Sequence, residues 1–449
     1  GRIQYGAIST EYSFGPEPPN YNINTYAAYA TEPGGGSHAM TVIGWDDNFS
    51  KSNFYRTPPG DGAWIYKNSY GTDNNFDDKG YIYVSYYDGC IFSDDSSFVV
   101  LFENTENYTT NYQTDFGGKL NLLNSTSDYS YKNTYRAQGN ELISAVGTYL
   151  NDENGEYNLE IYVNGELKLT QSGFAPFYGY HTIKLNREIP VRAGDNFTAV
   201  MKSHSIPIIE ETRMNFKENI SFAEYGNGWI DLAKERKTVT LKVYTKDLVL
   251  YTEDLVKIYK NDSKFLALTD SVNETVSFEI NGQTYNRTTD DEGIARMAIN
   301  LYPGNYTIKT TFNGTSVENS IEVLPTLIAD NLVKYYRNES QFYISLTDGE
   351  GNPVSGVNIT LNINGVFYNR LTNENGTAKL NINLAPGDYI LTAADPLTGL
   401  KMSYNITVLP ILTAKDLEMT YKDGSKFEAK LVDGLGQALS GKIITFNND

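Results

Sequence analysis

The chain from residue 251 onward repeats itself, and this repeat constrains the fold more than any other feature. Val323-Leu324-Pro325 returns as Val408-Leu409-Pro410, and Tyr285-Asn286-Arg287 returns as Tyr368-Asn369-Arg370. Between these landmarks apolar and polar residues alternate, and Pro-Gly turns separate the runs. A period of roughly 80–85 residues with strand alternation predicts one β-sandwich per repeat.

The repeat divides this region into three units, which we place at residues 251–326, 327–410 and 411–449. Two further correspondences support these boundaries: Tyr302-Pro303-Gly304-Asn305-Tyr306 with Ala385-Pro386-Gly387-Asp388-Tyr389, and Ser355-Gly356 with Ser440-Gly441. The units resemble the Ig-like repeats of archaeal and bacterial adhesin-like proteins. Residues 411–449 hold about half a repeat, so we expect them to be poorly stabilised for lack of the later strands.

Residues 96–250 predict another β-sandwich. Tyr157–Val163 alternates between apolar and polar residues and is followed by Asn164-Gly165, a strong hairpin signal. Short strands and turns continue through Met201. His181 and His204 lie in this region without a neighbouring Cys or His at metal-ligand spacing, so we interpret both as surface or packing residues.

Composition excludes several classes of function. The 449 residues carry a net charge of −19, which argues against a nucleic-acid partner and a basic membrane-binding patch. No apolar run is long enough to span a membrane. The 36 tyrosines and 20 phenylalanines favour β-sheet. The single cysteine, Cys90, excludes an internal disulfide and is flanked by apolar residues, as is typical of a small buried side chain.

Many triplets of the chain fit the acceptor pattern for N-glycosylation, which favours an extracellular glycoprotein at the cell surface or cell wall. They begin at Asn107, Asn124, Asn196, Asn273, Asn305, Asn313, Asn338, Asn358, Asn375 and Asn405.

Residues 34–88 contain the candidate catalytic residues of the chain. His38 opens the apolar run Ala39–Ile43, and a second run, Ala63–Tyr66, leads into Asn68-Ser69 and the glycine turn at Gly71. Strands of this kind hold the polar groups at their ends rigidly. A histidine paired with an amide is a known way to fix one imidazole tautomer for catalysis.

These residues resemble the C-terminal half of a papain-like (C1 family) cysteine peptidase, of the subgroup in which a lectin-like domain follows the peptidase on microbial cell-surface proteins. The motifs that carry the resemblance are His38-Ala39, Gly44-Trp45-Asp46, Asn68-Ser69-Tyr70-Gly71-Thr72 and Gly80-Tyr81. The resemblance implies that His38 is the general base and that Asn68 orients its ring. Trp45 and Tyr70 would pack around the base, with Tyr70 in place of the family's usual tryptophan.

The resemblance implies the following fold class: a mainly β multidomain protein that begins with the β-rich C-terminal lobe of a papain-like α+β fold at residues 1–95. A lectin-like β-sandwich at 96–250 and tandem Ig-like β-sandwiches follow. The run from Tyr112 through Met201 carries the likeness to the lectin-like domain.

The nucleophile departs from the family pattern. In papain-like sequences the histidine follows the catalytic cysteine by about 130–150 residues. Only 37 residues precede His38, and Cys90 follows Asn68 instead of preceding His38. We therefore interpret the chain as a fragment that carries the base and its orienting amide without the thiol, and we expect it to be inactive alone.

Two acidic segments, Asp46-Asp47-Asn48 and Asp73–Asp78, contain the oxygen ligands that calcium prefers. Their spacing matches no EF-hand loop, so we interpret them as solvated turns and predict neither a metal nor a cofactor.

Three hypotheses of function remain open. The first is a surface-displayed cysteine endopeptidase that hydrolyses a protein or peptide substrate. The second is an adhesin-like protein with a degenerate peptidase lobe, which binds a glycan or another cell-surface ligand through exposed aromatic residues such as Tyr178, Tyr180 or Trp229. The third is a purely structural surface array.

Overall fold

A computed structural model describes residues 6–13, 18–32, 37–91, 97–117, 119–210, 216–224 and 228–447. The chain forms two compact units, Gly1–Asn107 and Tyr108–Asp449, so that the first unit extends beyond the predicted end of the peptidase-like domain at residue 95. The predicted mainly β fold class is confirmed, because the described residues form strands and two short 3₁₀ helices. Among them, no helix has the length and apolarity needed to cross a bilayer.

The first unit is built on one seven-stranded sheet with the order β2-β3-β6-β5-β4-β1-β7. Its 3₁₀ helix spans Lys51–Asn53, and its strands are β1 (Ile8–Ser13), β2 (Tyr21–Asn22), β3 (Ala27–Ala28), β4 (Ser37–Asp46), β5 (Ala63–Lys67), β6 (Tyr81–Ser85) and β7 (Phe98–Val99). The pairs are antiparallel except for β3 with β6. Aromatic and β-branched residues favour these strands, and Met40, Val42, Tyr66, Ile82 and Val84 form the centre of the core.

The second unit begins with two antiparallel sheets. The 3₁₀ helix of this part spans Leu232–Glu235, and its strands are β8 (Thr110–Tyr112), β9 (Lys119–Arg136), β10 (Glu141–Leu150), β11 (Gly155–Val163), β12 (Glu166–Ala175), β13 (Gly179–Val191), β14 (Asn196–Glu210), β15 (Ser221–Glu224), β16 (Trp229–Asp231), β17 (Thr238–Val239) and β18 (Leu241–Asp247). One sheet has the order β13-β10-β18-β8, and the other has the order β12-β11-β14-β9-β15-β16 with β17 beside β14.

These two sheets share one core, in which β10 residues such as Ile143 and Val146 join Leu159, Phe197 and Met201 of the other sheet. The predicted hairpin lies between β11 and β12. Asn164 and Gly165 both adopt positive φ, 50° and 84°, as a type I′ turn requires.

The internal repeat appears as the same topology twice. The first copy contains β19 (Leu250–Thr252), β20 (Leu255–Ile258), β21 (Lys264–Thr269), β22 (Thr275–Ile280), β23 (Gln283–Thr288), β24 (Ile294–Ala298), β25 (Gly304–Phe312) and β26 (Thr315–Leu324). The second contains β27 (Leu327–Ile328), β28 (Leu332–Tyr335), β29 (Phe342–Leu346), β30 (Asn358–Ile363), β31 (Val366–Leu371), β32 (Thr377–Leu380), β33 (Gly387–Ala394) and β34 (Lys401–Leu409).

Each copy pairs a three-stranded sheet with a five-stranded sheet. The orders are β19-β21-β24 with β20-β26-β25-β22-β23, and β27-β29-β32 with β28-β34-β33-β30-β31. In both copies one edge strand of the larger sheet, β20 or β28, is parallel to its neighbour. Phe265 and Phe278 meet across the two sheets of the first copy, with ring centroids 6.0 Å apart. Each copy therefore encloses a core of its own.

A close backbone approach joins consecutive repeats. The Asn261 side-chain nitrogen donates to the Gly349 carbonyl at 2.8 Å, and Asn338 makes the same bond to Gly434. A Cβ at Gly349 would lie 3.2 Å from the Asn261 Cα, so a side chain there would push the loop away. Glycine therefore allows the loop of one repeat to contact the turn of the repeat before it.

The described part of the last stretch, residues 411–447, forms only the two-stranded sheet of β35 (Leu412–Ala414) and β36 (Ala429–Leu431). Within it only Val432 is buried. An isolated strand pair with so little apolar burial is marginally stable.

We expect limited proteolysis to cleave residues 411–447 before it cleaves 327–410, because the former open at little free-energy cost. Mass spectrometry of the early fragments measures this, with residues 251–326 as an internal reference for an enclosed sandwich. Equal resistance of 411–447 and 327–410 would contradict the expectation.

Candidate functional site

Strands β4 and β5 bring His38 and Asn68 together. Val42 and Tyr66 are opposite each other in the antiparallel register, so their side chains share a face of the sheet. Because side chains alternate along a strand, His38 lies on that face four residues before Val42, and Asn68 lies there two residues after Tyr66. The His38 Nε2 and the Asn68 Oδ1 are 2.8 Å apart.

The orientation of the Asn68 amide follows from its other partner. Asn68 is 6% exposed, and its Nδ2 donates to the Asp77 Oδ2 at 2.9 Å. A carboxylate oxygen only accepts, so the amide nitrogen faces Asp77 and the amide oxygen faces His38. The Nε2 of His38 therefore carries a proton that it donates to Asn68, which leaves Nδ1 of the neutral ring to accept a proton.

Tyr70 covers one face of the imidazole. The rings of His38 and Tyr70 stack with centroids 4.8 Å apart and planes 25° apart. Phe76 meets the Tyr70 ring edge-on at 6.0 Å. Phe76 is an aromatic neighbour of the site that sequence reasoning missed.

Trp45 lies elsewhere. The sequence predicts it in the aromatic shell of His38, but Trp45 is seven residues further along β4 and is opposite Trp64. Seven residues of extended strand span about 20 Å. The strand therefore carries Trp45 away from the ring that it was expected to cover.

The acidic segment Asp73–Asp78 contains a buried carboxylate, that of Asp77. Asp77 is only 2% exposed, and its Oδ1 accepts the Gly80 backbone N–H at 2.7 Å and the Asn74 Nδ2 at 3.1 Å. The interpretation of this segment as solvated turns is therefore wrong for Asp77. Within the described residues, no three His, Cys, Asp or Glu side chains are grouped so that they could hold a metal ion.

Cys90 is 2% exposed and belongs to the hydrophobic core of the first unit, as its apolar neighbours in sequence predict. Its backbone N–H donates to the Asp88 Oδ1 at 2.8 Å. Asp88 Oδ2 accepts the Tyr12 hydroxyl at 2.8 Å and the Ala30 backbone N–H at 2.7 Å. Burial raises the pKa of Asp88 above its ordinary value of 3.8, although these donors oppose the rise.

The aromatic residues predicted as a sugar-binding surface in the second unit are exposed: Tyr178 by 64%, Tyr180 by 37% and Trp229 by 40%. Tyr180 lies across Gly147 and shares a hydroxyl–hydroxyl hydrogen bond of 2.5 Å with Tyr244. The Nζ of Lys132 lies 4.1 Å from the ring centroid of Trp229.

A cavity of about 340 Å³ opens in the second unit beside β9. Its lining includes hydroxyl side chains, cations and an exposed aromatic ring, among them Thr134, Ser221, Thr238, Arg136, Lys237 and Phe116. The Nε of Arg136 donates to the Gly194 carbonyl at 3.2 Å, which holds the guanidinium in place. The two histidines of this unit bind protein groups, His181 the Phe177 carbonyl and His204 the Asp152 carboxylate.

Comparison with known proteins gives a family match for part of the chain. Residues 111–245 match the family model described as a lectin-like domain. This match lies within the predicted lectin-like domain at 96–250. The comparison with curated proteins gave no match.

Similar solved structures include two of the cysteine protease Cwp84. A clostridial Cwp84 after propeptide cleavage is 19% identical with a TM-score of 0.47 over 55% of this chain. The protease and lectin-like domains of Cwp84, a surface layer associated protein of Clostridium difficile, are 19% identical with a TM-score of 0.45 over 55% of this chain. The matches cover 66% and 60% of those chains, less than two thirds of each. The I9–I11 tandem from titin is 9% identical with a TM-score of 0.21.

The burial of Asp88 predicts that its contribution to the stability of the first unit depends on pH. Because the folded state raises the pKa of Asp88, it holds that proton more tightly than the unfolded chain does. The contribution of Asp88 to stability therefore falls as the pH rises from about 3.8 through the raised value.

Tyr12→Phe removes a donor to the buried carboxylate and should lower the free energy of unfolding by about 1.5–3 kcal/mol at neutral pH.

Denaturation followed by tryptophan fluorescence measures this in a Trp229→Phe background, in which Trp45 and Trp64 of the first unit report. Tyr87→Phe is the matched control, since Tyr87 is 47% exposed. If Tyr12→Phe and Tyr87→Phe unfold at the same denaturant concentration above pH 6, the role assigned to the Tyr12 hydroxyl is wrong.

Proposed function

We propose that this chain is part of a surface-displayed, papain-like cysteine endopeptidase, in which His38 is the general base and Asn68 orients it. The observation that supports this proposal most strongly is the bond between His38 Nε2 and Asn68 Oδ1, with the amide oriented by Asp77. A histidine that only ends a strand does not require a buried amide held in one orientation, whereas a general base requires one to fix its tautomer.

The tautomer decides which nitrogen does the chemistry. Since Nε2 keeps its proton on Asn68, Nδ1 is the atom that takes the proton of a thiol and forms an imidazolium–thiolate pair. The thiolate attacks a peptide carbonyl, and Nδ1–H then protonates the leaving amine as the C–N bond breaks. Nδ1 next deprotonates a water molecule, which hydrolyses the thioester and regenerates the thiol.

The nucleophile is not Cys90 in this proposal, because its side chain is buried in the hydrophobic core. We assign that role to a cysteine of a papain-like N-terminal lobe. The lectin-like and repeated sandwich units would then display the peptidase at a surface, in keeping with the acidic charge and the candidate glycosylation sites.

The complete gene product, translated from its natural start codon, is the protein in which to test this. It should cleave protein or peptide substrates, and iodoacetamide should abolish the cleavage. His38→Ala should lower kcat/KM by roughly 10²–10⁴-fold, because proton transfer by a positioned base supplies that factor. His204→Ala is the matched control, since His204 pairs with Asp152 in the other unit. Full activity in His38→Ala would overturn the assignment.

A second candidate function, glycan binding by the lectin-like part, is favoured by the cavity beside β9. Its volume of about 340 Å³ is within the range of small-ligand sites, and hydroxyls, cations and Phe116 together suit a sugar with acidic substituents. In this alternative the peptidase lobe is degenerate and the protein is an adhesin.

Arg136→Ala should weaken binding of an acidic wall polysaccharide about tenfold, which corresponds to the loss of one charge-assisted contact. Isothermal titration of the whole chain with purified polysaccharide measures this. Lys184→Ala is the control, because Lys184 is an exposed cation on the separate sheet of β13 and β10. Equal affinity of Arg136→Ala and the unmodified chain would remove the cavity as the binding site.

A further inference from the structure

We infer that Asp77 is a positioning residue that sets the tautomer of His38 by orienting the Asn68 amide between them. The consequence of this for catalysis rests on the proposed function above. The orientation itself is a property of this chain and is measurable without a nucleophile.

The three side chains form one line of hydrogen bonds with a fixed direction. His38 Nε2 donates to Asn68 Oδ1 over 2.8 Å, and Asn68 Nδ2 donates to Asp77 Oδ2 over 2.9 Å. Asn68 and Asp77 are 6% and 2% exposed, so bulk water does not substitute for a missing partner.

The carboxylate of Asp77 is held in place by hydrogen bonds, and it is the acceptor in each of them. Its Oδ1 receives the Gly80 N–H and the Asn74 Nδ2, while its Oδ2 receives Asn68. Asn74 is fixed in turn, because its Oδ1 accepts the backbone N–H groups of Phe76 and Asp77. Gly80 adopts a φ of +94°, a conformation that glycine permits and that turns its N–H toward the carboxylate.

An asparagine amide has nearly the same shape after a half turn, so shape alone does not decide which end faces His38. Two bonds decide it here. The Ser69 backbone N–H donates to Asn68 Oδ1 at 2.8 Å, and Asn68 donates to the Asp77 carboxylate. A hydrogen bond to a charged group contributes about twice as much as a neutral one, so Asp77 is the stronger constraint.

Asp77→Asn reverses this constraint with almost no change of shape. The fixed Gly80 N–H requires the oxygen of the new amide, so the nitrogen of the new amide must face Asn68. Two N–H donors then oppose each other unless the Asn68 amide turns over. That turn gives up the bond from the Ser69 N–H to Asn68 Oδ1. Asn68 then presents N–H to His38, and the ring must place its proton on Nδ1 and accept through Nε2.

The whole chain with ¹⁵N-labelled histidine provides the test. The chemical shifts of the two ring nitrogens, measured where the imidazole is neutral, should report the Nε2–H tautomer for His38. In Asp77→Asn the Nδ1–H tautomer should become the major form. His181 and His204, the other histidines of the chain, are internal references that should not change.

Two variants sharpen the comparison. Asp73→Asn removes the same charge from an exposed position of the same loop and should leave His38 as Nε2–H. The reversed pair, Asn68→Asp with Asp77→Asn, restores one donor facing one acceptor at each contact, and should return His38 to Nε2–H.

Each result for Asp77→Asn and the reversed pair either supports or overturns the inference. Nε2–H retained in a folded Asp77→Asn overturns the inference, and so does a reversed pair that is unfolded or carries Nδ1–H. If Asp77→Asn does not fold, a folded reversed pair with Nε2–H supports the inference, because only complementarity distinguishes the two variants.

Activity is measured separately in the complete gene product. There Asp77→Asn should lower kcat and leave KM nearly unchanged, because an Nδ1–H ring cannot take the proton of a thiol, and the reversed pair should restore part of the rate. A tautomer change in a protein without thiol-dependent cleavage would uphold the inference and reject the proposed peptidase function.

Discussion

The two-residue period of the β-strand governs where the candidate site residues of the first unit lie. Met40, Val42 and Tyr66 are nearly or completely buried on one face of the sheet. Burial of an apolar side chain such as Met40 or Val42 stabilises the fold by about 1.5–3 kcal/mol. A register slip of one residue would turn all of them toward the opposite face. The same slip would separate His38 from Asn68, so the core that fixes the register also assembles the site.

Buried carboxylates are the second organising element of this unit. Asp88 accepts from Tyr12 on β1, from Ala30 after β3 and from Cys90 after β6, and so connects three segments that are distant in sequence. Asp77 does the same for its own loop and Asn68. The chain has a net charge of −19 and many carboxylates. Asp77 and Asp88 differ from exposed carboxylates because they accept hydrogen bonds inside the first unit.

The repeated sandwiches follow the same packing rule with a different result. Each copy buries its own cluster of residues, and Leu400 of the second copy is also buried in the core of the first. The two copies also meet through a polar contact, the hydrogen bond from Asn261 to the Gly349 carbonyl. Such a series can extend or display a functional unit without participating in its chemistry.

The sequence by itself determined the mainly β class, the repeat, the Asn164-Gly165 hairpin and the burial of Cys90, because each depends on local alternation or on turn chemistry. It also named His38, Asn68 and Tyr70 as a group. It misplaced Trp45, since the distance along a strand from His38 cannot be judged before the strand is known to be continuous. Only the tertiary structure decided that Asp77 is buried and bonded to Asn68. An acidic loop has the same composition whether its carboxylates face water or a buried amide, and the difference arises from the fold of residues 68–80 around Asn68.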